Sequence, residues 1–464
     1  MNLSNTYLTA RTATVGLLLS LVWAGCQPAE IVTIDSPSFS GARQSTDAEY
    51  VAGELIIQFT EGTSAEVKQK ALDKVQGKNA EKILTKSMEK AGKKEGLLLV
   101  KVTKDVLEAV ADLANTEGVD FAEPNFIYQH ATATDPNYTN GNLWGMYGPA
   151  TTPANAFGSN AAAAWAAGQT GSAAVYVGII DEGIQINHPD LSGQFWTNPN
   201  EPIDGADNDG NGLADDINGW DFANNDNTVY DGGATGSTDN HGTHVAGTIG
   251  AKANNGVGVV GVNWNITMIS GKFLGATGGT LANAVKAVDY FTNLKITKGL
   301  NIVATNNSWG GGGFSQALFD AISRANTAGI LFIAAAGNSG TNNDRKASYP
   351  SGYDLPNVIA VAAIDRTGAL ASFSQYGAVT VDIGAPGVAV LSTTANNGGY
   401  SSYNGTSMAT PHVAGAAALY AAAKPGSSAA TIKNAILASA VSTPSLIRKT
   451  VTGGRLNVNA ALAR

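Results

Sequence analysis

The 464-residue chain has one cysteine, Cys26, so no disulfide can form within it. Lysine and arginine are missing altogether between Lys104 and Lys252. With a net charge of −9 and 14% charged residues, the chain offers no extended positive field, and nucleic acid is not an expected partner. Beyond the N-terminal segment no apolar run reaches eighteen residues, so no membrane-crossing helix is expected there. What is present is 44% apolar residues and 55 glycines, enough for a sizeable core with tight turns and close backbone approaches. The length suits one large and one small folded unit.

Residues 1–26 combine Arg11, an apolar stretch from Val15 to Trp23 and Ala24-Gly25-Cys26, the pattern of an export signal. Cys26 directly after small residues resembles the lipobox of bacterial lipoproteins, which implies a lipid on Cys26 and an anchor to a membrane. Trp23 departs from the small or aliphatic residue expected there, and cleavage after Ala24 or Gly25 is the alternative. Both readings export the protein from a bacterial cell, membrane-anchored or secreted. Residues 27–48, rich in Ser, Pro, Thr and Ala without periodicity, read as a linker.

A different pattern starts at residue 49. Glu54–Phe59 and Leu97–Val102 read as strands, and Ser64 caps a helix to about Val75. Val106, Leu107, Val110, Leu113 and Ala114 recur at helical spacing, and Val119–Phe121 with Asn125–Tyr128 closes a β-α-β-α-β unit, with a further strand near Lys82-Ile83-Leu84. Eleven of the 28 basic residues are lysines between Lys68 and Lys104, which sets this charged α+β unit, 49–130, apart from the longer C-terminal portion of the chain.

In residues 131–464 the runs Ala174–Ile180, Ile302–Asn306, Ile330–Ala335 and Val358–Ala362 are too continuously apolar for half-exposed strands and read as buried parallel strands. Helical segments such as Leu281–Leu294 and Ser315–Ala328 lie between them. The expected fold is α/β, a parallel sheet with helices on both faces, whose strand ends are where sites form.

Asp181 ends the first buried strand, where a carboxylate needs a hydrogen-bonding partner. Asn240-His241-Gly242-Thr243-His244 supplies two histidines at the head of a small-residue helix. As metal ligands they lack a third donor, because the residues between them are Gly242 and Thr243 and the sole cysteine is Cys26. No catalytic metal is expected. In Gly405-Thr406-Ser407-Met408-Ala409-Thr410-Pro411-His412, Ser407 opens an apolar helix whose free N–H groups face a developing oxyanion, and Pro411 is placed in the first turn.

Together Ile179-Ile180-Asp181-Glu182-Gly183, His188-Pro189-Asp190-Leu191, His241-Gly242-Thr243-His244 and Gly405-Thr406-Ser407-Met408-Ala409 resemble the subtilisin-like serine proteases, in the order Asp, His, Ser. The resemblance runs from about Ala131 to Arg464. It implies an endopeptidase working through an acyl-enzyme, with Ser407 the nucleophile, His241 the general base and acid, Asp181 the group orienting it, and Asn338 the oxyanion-hole donor beside the Ser407 N–H. Gly278, Gly279, Ser308, Trp309 and Gly310 are the implied substrate-binding residues. The ending Gly118–Asn125 resembles the inhibitory propeptide of these proteases, which makes 49–130 a ferredoxin-like propeptide that inhibits the enzyme until it cuts itself free. Protein or peptide substrates and the chain's own propeptide are the implied partners.

Thirteen of the 20 acidic residues after residue 130 lie between Asp181 and Asp239. Asp204, Asp207, Asp209, Asn211, Asp215 and Asp216, interleaved with Gly210 and Gly212, resemble a calcium loop inserted in some subtilisin-like proteases, with calcium serving stability; a solvated acidic loop is the alternative. Two other functions compete. A catalytically inactive binding protein on the same fold has no reason to keep all four site residues, and a calcium-dependent structural protein leaves the histidine and serine motifs unexplained.

Overall fold

The computed structural model describes residues 50–126, 132–396 and 398–464. The export signal, Cys26, the linker and residues 127–131 lie outside the described residues. The described residues fall into two compact units divided between 126 and 132.

The first unit runs β1 (Tyr50–Phe59), α1 (Ala65–Lys74), β2 (Lys78–Ile83), α2 (Lys86–Lys90), β3 (Leu97–Lys101), α3 (Val106–Leu113) and β4 (Val119–Phe126). Its antiparallel sheet has the order β2-β3-β1-β4, which is the ferredoxin-like arrangement. Ser64 caps α1 by accepting from Val67 N, and Asp105 caps α3 by accepting from Leu107 N and Glu108 N. Leu55, Ile57 and Phe59 alternate along β1 and pack on Ala71, Val75, Ala109 and Leu113. The sequence pointed only to the end of β2, because its side chains are mostly exposed and carry no apolar alternation. The short α2 buries nothing and had no apolar signature either.

The second unit opens with two short helices, α4 (Pro136–Thr139) and α5 (Ala161–Ala166). Next come β5 (Gly171–Asp181), β6 (Gly219–Asp221), α6 (Asn240–Gly250), β7 (Asn265–Lys272), α7 (Leu281–Lys298), β8 (Ile302–Asn307), α8 (Gln316–Thr327), β9 (Leu331–Ala335) and β10 (Val358–Ile364). The remainder is β11 (Ile383–Pro386), β12 (Val390–Thr394), β13 (Gly399–Tyr403), α9 (Thr406–Ala423), α10 (Ala429–Ala438), β14 (Val441–Ser442), β15 (Gly454–Arg455) and α11 (Val458–Leu462). Nine strands form one sheet, β14-β15-β11-β10-β9-β8-β5-β7-β6, parallel except at the β14–β15 edge.

Side chains alternate between two cores, as the period of a strand requires. Val177 and Ile179 of β5 with Leu331 and Ile333 of β9 pack beneath α6 and α9, whereas Ile180 and Phe332 pack beneath α7 and α8. Helices thus cover both faces, as expected. The chain leaves β5 toward β7 on one side and returns to β8 on the other, so the carboxyl end of β5 is a topological switch point. The segment Asn265–Lys272 carries no strand signal because polar residues interrupt it, yet Ser270 and Lys272 are buried there.

Candidate active site

Asp181 stands at the switch point, fully buried. Its Oδ1 accepts from Glu182 N at 2.8 Å and lies 2.8 Å from His241 Nδ1. The helix α6 reaches the strand end because residue 242 is glycine: a Cβ there would sit 2.5 Å from Gly183 O. The His241 side chain is 31% exposed. Burial pulls the imidazole down, but the Asp181 charge and hydrogen bond, with Glu182 behind them, outweigh it and hold His241 above its ordinary value.

Ser407 is the second residue of α9, where a backbone N–H has no partner within the helix. Pro411 lies in the second turn, not the first as the sequence suggested, because α9 begins at Thr406. A proline there cannot donate to the Ser407 carbonyl four residues back. Ser308 Oγ donates to that carbonyl instead at 2.8 Å, and Ser407 Oγ donates to Ser308 O at 3.1 Å. Ser308 is held in turn by Asn306 Nδ2 at 2.9 Å. The structure therefore joins Ser407 to Ser308 and His241 to Asp181, on two helices packed against each other, with no hydrogen bond between His241 and Ser407 among the described residues.

Asn338 follows β9, and its Oδ1 accepts from Thr406 N at 2.9 Å and Thr406 Oγ1 at 3.0 Å. The backbone donor fixes which end of the amide is oxygen, so Nδ2 is turned away from Thr406 and free to donate. It lies beside the backbone that leads into Ser407, 3.7 Å from where a Cβ on residue 405 would sit. Gly337 has φ +112° and admits no side chain: a Cβ would meet Gln375 Oε1 at 1.9 Å.

A cavity of about 460 Å³ opens beside Ser407 and Asn338, and Ser308, Trp309 and Gly310 line it. Lys346 is the one charged side chain in its wall. Gly278 and Gly279 line a second cavity of about 520 Å³, which shares Trp309 and Gly310 with the first and is walled by Phe314 and Tyr349. Trp309 thus separates two adjoining spaces, with its ring edge-on to Phe273 at 4.8 Å. His241 lines a third cavity of about 530 Å³ together with Glu182, Asp231, Asp239, Lys272 and Tyr403.

Two other described histidines, His244 and His412, are fully buried. His244 Nε2 donates to Val390 O and Ser401 O, its ring stacks on Tyr403 at 4.5 Å, and burial pulls it down to about 3. His412 donates to Met408 O and is pulled down to about 4 by burial.

In the acidic loop, the carboxylates of Glu201, Asp209 and Asp216 converge, with one oxygen of each within 4.8 Å of the others. Asp209 and Asp216 are two of the six expected ligands; Glu201 is an addition. Asp207 instead accepts from Gly210, Asn211 and Gly212 N–H, Asp215 from Asp204 and Gly205 N–H, and Asp204 from Ala206 N and Asn208 Nδ2. Asn211 donates to Asp216. Asp216 is pushed up to about 6, first by burial. Glu201 was legible only as the neighbour of the loop, since its convergence depends on the chain folding back over fifteen residues.

The sequence profile of the Subtilase family matches residues 172–460, and that of the fervidolysin N-terminal prodomain matches residues 37–125. The thermophilic serine proteinase of Bacillus sp. (strain AK1) is 35% identical over 373 residues, covering 80% of this chain and 78% of its own. Subtilisin DY of Bacillus licheniformis is 38% identical over 268 residues, covering 57% of this chain and 83% of its own. A solved protease from Pseudoalteromonas arctica PAMC 21717 superposes with a TM-score of 0.58 at 28% identity, covering 72% of this chain and 99% of that one. With the parallel sheet, the Asp181–His241 pair at its switch point and these matches, the chain belongs to the subtilase family and is a subtilisin-like serine protease preceded by a prodomain.

Proposed function

We propose that the chain is a self-processing endopeptidase whose catalytic unit works through Asp181, His241 and Ser407. The observation that carries this reading is the 2.8 Å contact between the buried Asp181 carboxylate and His241 Nδ1. It fixes the tautomer that leaves Nε2 as a base. Ser407 Oγ turns from Ser308 O toward His241 Nε2, gives up its proton there and attacks the peptide carbonyl carbon. The oxyanion accepts from Asn338 Nδ2 and the Ser407 N–H. His241 returns the proton to the leaving amine, and water then cleaves the acyl ester by the same route in reverse. The substrate backbone lies between Gly278-Gly279 and Ser308-Trp309-Gly310, with a side chain in the cavity beside Ser407.

Residues 49–130 act as propeptide and inhibitor of 131–464, and the bond cut lies between about His130 and Asp135. Residues 1–26 direct export, with Cys26 either lipidated or removed. The acidic loop suits calcium: its converging donors are all carboxylate oxygens, and Asp209 Oδ1 is buried without a partner. Glu201, Asp209 and Asp216 would hold the ion, which would neutralise them and stiffen the loop. Lys298, 3.0 Å from Asp209, supplies part of that neutralisation within the chain.

The purified full chain and its Ser407→Ala variant, incubated side by side, test the reading. The wild type is expected to split into prodomain and catalytic fragments and to hydrolyse casein, and the variant to do neither. Self-cleavage by the variant would refute it.

A further inference from the structure

Helix α6 carries His241 but has no side-chain hydrogen bond from its own N-cap residue. Asp239 at the N-cap position is left-handed, φ 63°, and makes no side-chain cap hydrogen bond. Its carboxylate is turned to Gly183 N, Asp231 N and Lys272 instead. The orphan N–H of His241 is taken by Glu182 Oε1 in a short hydrogen bond. Asp181 and Glu182, consecutive at the end of β5, thus grip one residue at two points, the ring through Asp181 and the backbone through Glu182.

We propose that Glu182 is a positioning residue for His241: its carboxylate caps the helix in place of Asp239 and keeps a second negative charge beside the imidazole. The inference rests on the triad reading above. A carboxylate at a helix N-terminus meets the positive end of the helix, and a capping hydrogen bond adds to it. The charged groups around Glu182 are Asp181 on β5, Asp239 at the N-cap of α6, His241 on α6, Asp231 on the preceding loop and Lys272 on β7, with Tyr403 of β13 as the remaining titratable group. Lys272 is engaged by Asp221, Asp231 and Asp239, so among the described residues no cation pairs with Glu182. Burial pushes Glu182 up, and its hydrogen bond to the His241 N–H works against that by favouring the charged form.

Measuring kcat/KM and the rate of fluorophosphonate labelling against pH, for the enzyme processed from the full chain and for Glu182→Gln and Glu182→Ala, tests this. Glutamine can still accept the N–H but carries no charge, so the acid limb is expected to move to lower pH by on the order of one unit. Alanine is expected to give the same shift and to lose roughly tenfold in kcat, with KM changed less than about twofold, because the helix end is then uncapped. An acid limb that stays where it is in Glu182→Gln would overturn the proposal. So would a change confined to KM that depends on substrate charge, which would assign Glu182 to substrate binding. Should the alanine variant fail to fold, the glutamine variant alone decides. Failure of the wild type to label at Ser407 would sink the triad reading, whereas normal labelling with an unmoved acid limb would sink only this inference.

Discussion

The two units use charge in opposite ways. In the prodomain unit, Lys70–Glu66 stands in solvent, Lys104–Asp112 is half-exposed, and the apolar core beneath them is small. In the catalytic unit Lys272 is 3% exposed and faces Asp221, Asp231 and Asp239 at the edge of the site. Exposed pairs add little. Buried ones are costly to break and hold a site in one geometry.

The sharpest difference should appear in catalysis. Asn338→Ala is expected to lower kcat on the order of 10²- to 10³-fold with little change in KM, a scale known from subtilisin itself. Steady-state kinetics on a peptide substrate check it. No prodomain substitution should change the turnover of the processed enzyme.

Lys272→Met tests the buried network. It leaves carboxylates facing each other without their cation and is expected to cost about 3–5 kcal/mol, read as a lower urea midpoint of the catalytic unit. Lys104→Ala in the prodomain should leave that unit's midpoint where it was. Leu55→Ala removes a fully buried side chain from the small prodomain core and is expected to cost about 2–5 kcal/mol. That fraction of the stability of so small a unit should show as lost folding of the prodomain with the catalytic fold intact, visible in its NMR spectrum.

Acid separates the units more gently. His244 and His412 are held neutral by burial, at about 3 and about 4, while unfolded imidazoles take up protons below about 6.5. Their contribution is therefore complete above about pH 6.5 and is lost as pH falls toward the folded values, by about 1.4 kcal/mol per pH unit for each group. The described prodomain residues contain no histidine, so its stability should lack this slope between pH 6.5 and 4.5.

Much of this organisation was legible in the sequence because it is written in local patterns. Continuous apolar runs marked β5, β8, β9 and β10, since strands covered on both faces leave no polar alternation. Ser64 and Ser315 marked helix starts, and both accept from the expected backbone N–H. What stayed hidden depends on residues brought together from far apart. Strand β7 reads as polar because Lys272 finds its buried partners only in the fold. Thr406 looks like filler in its motif, yet it orients Asn338, 68 residues away. Pro411 sits one turn later than its motif suggests, and its effect on the Ser407 carbonyl is visible only once Ser308 is seen to replace the missing donor. Glu182 and Glu201 stand in the sequence only as neighbours of the chemistry, because a carboxylate's partner cannot be inferred from its own sequence.

The central claim is that Ser407, activated by His241 and Asp181, is the nucleophile. Peptide mapping by mass spectrometry after fluorophosphonate treatment tests it most directly. A single adduct on Ser407, absent in His241→Ala under the same conditions, is the predicted result. Undiminished proteolysis with no adduct, or an adduct on another residue, would contradict it.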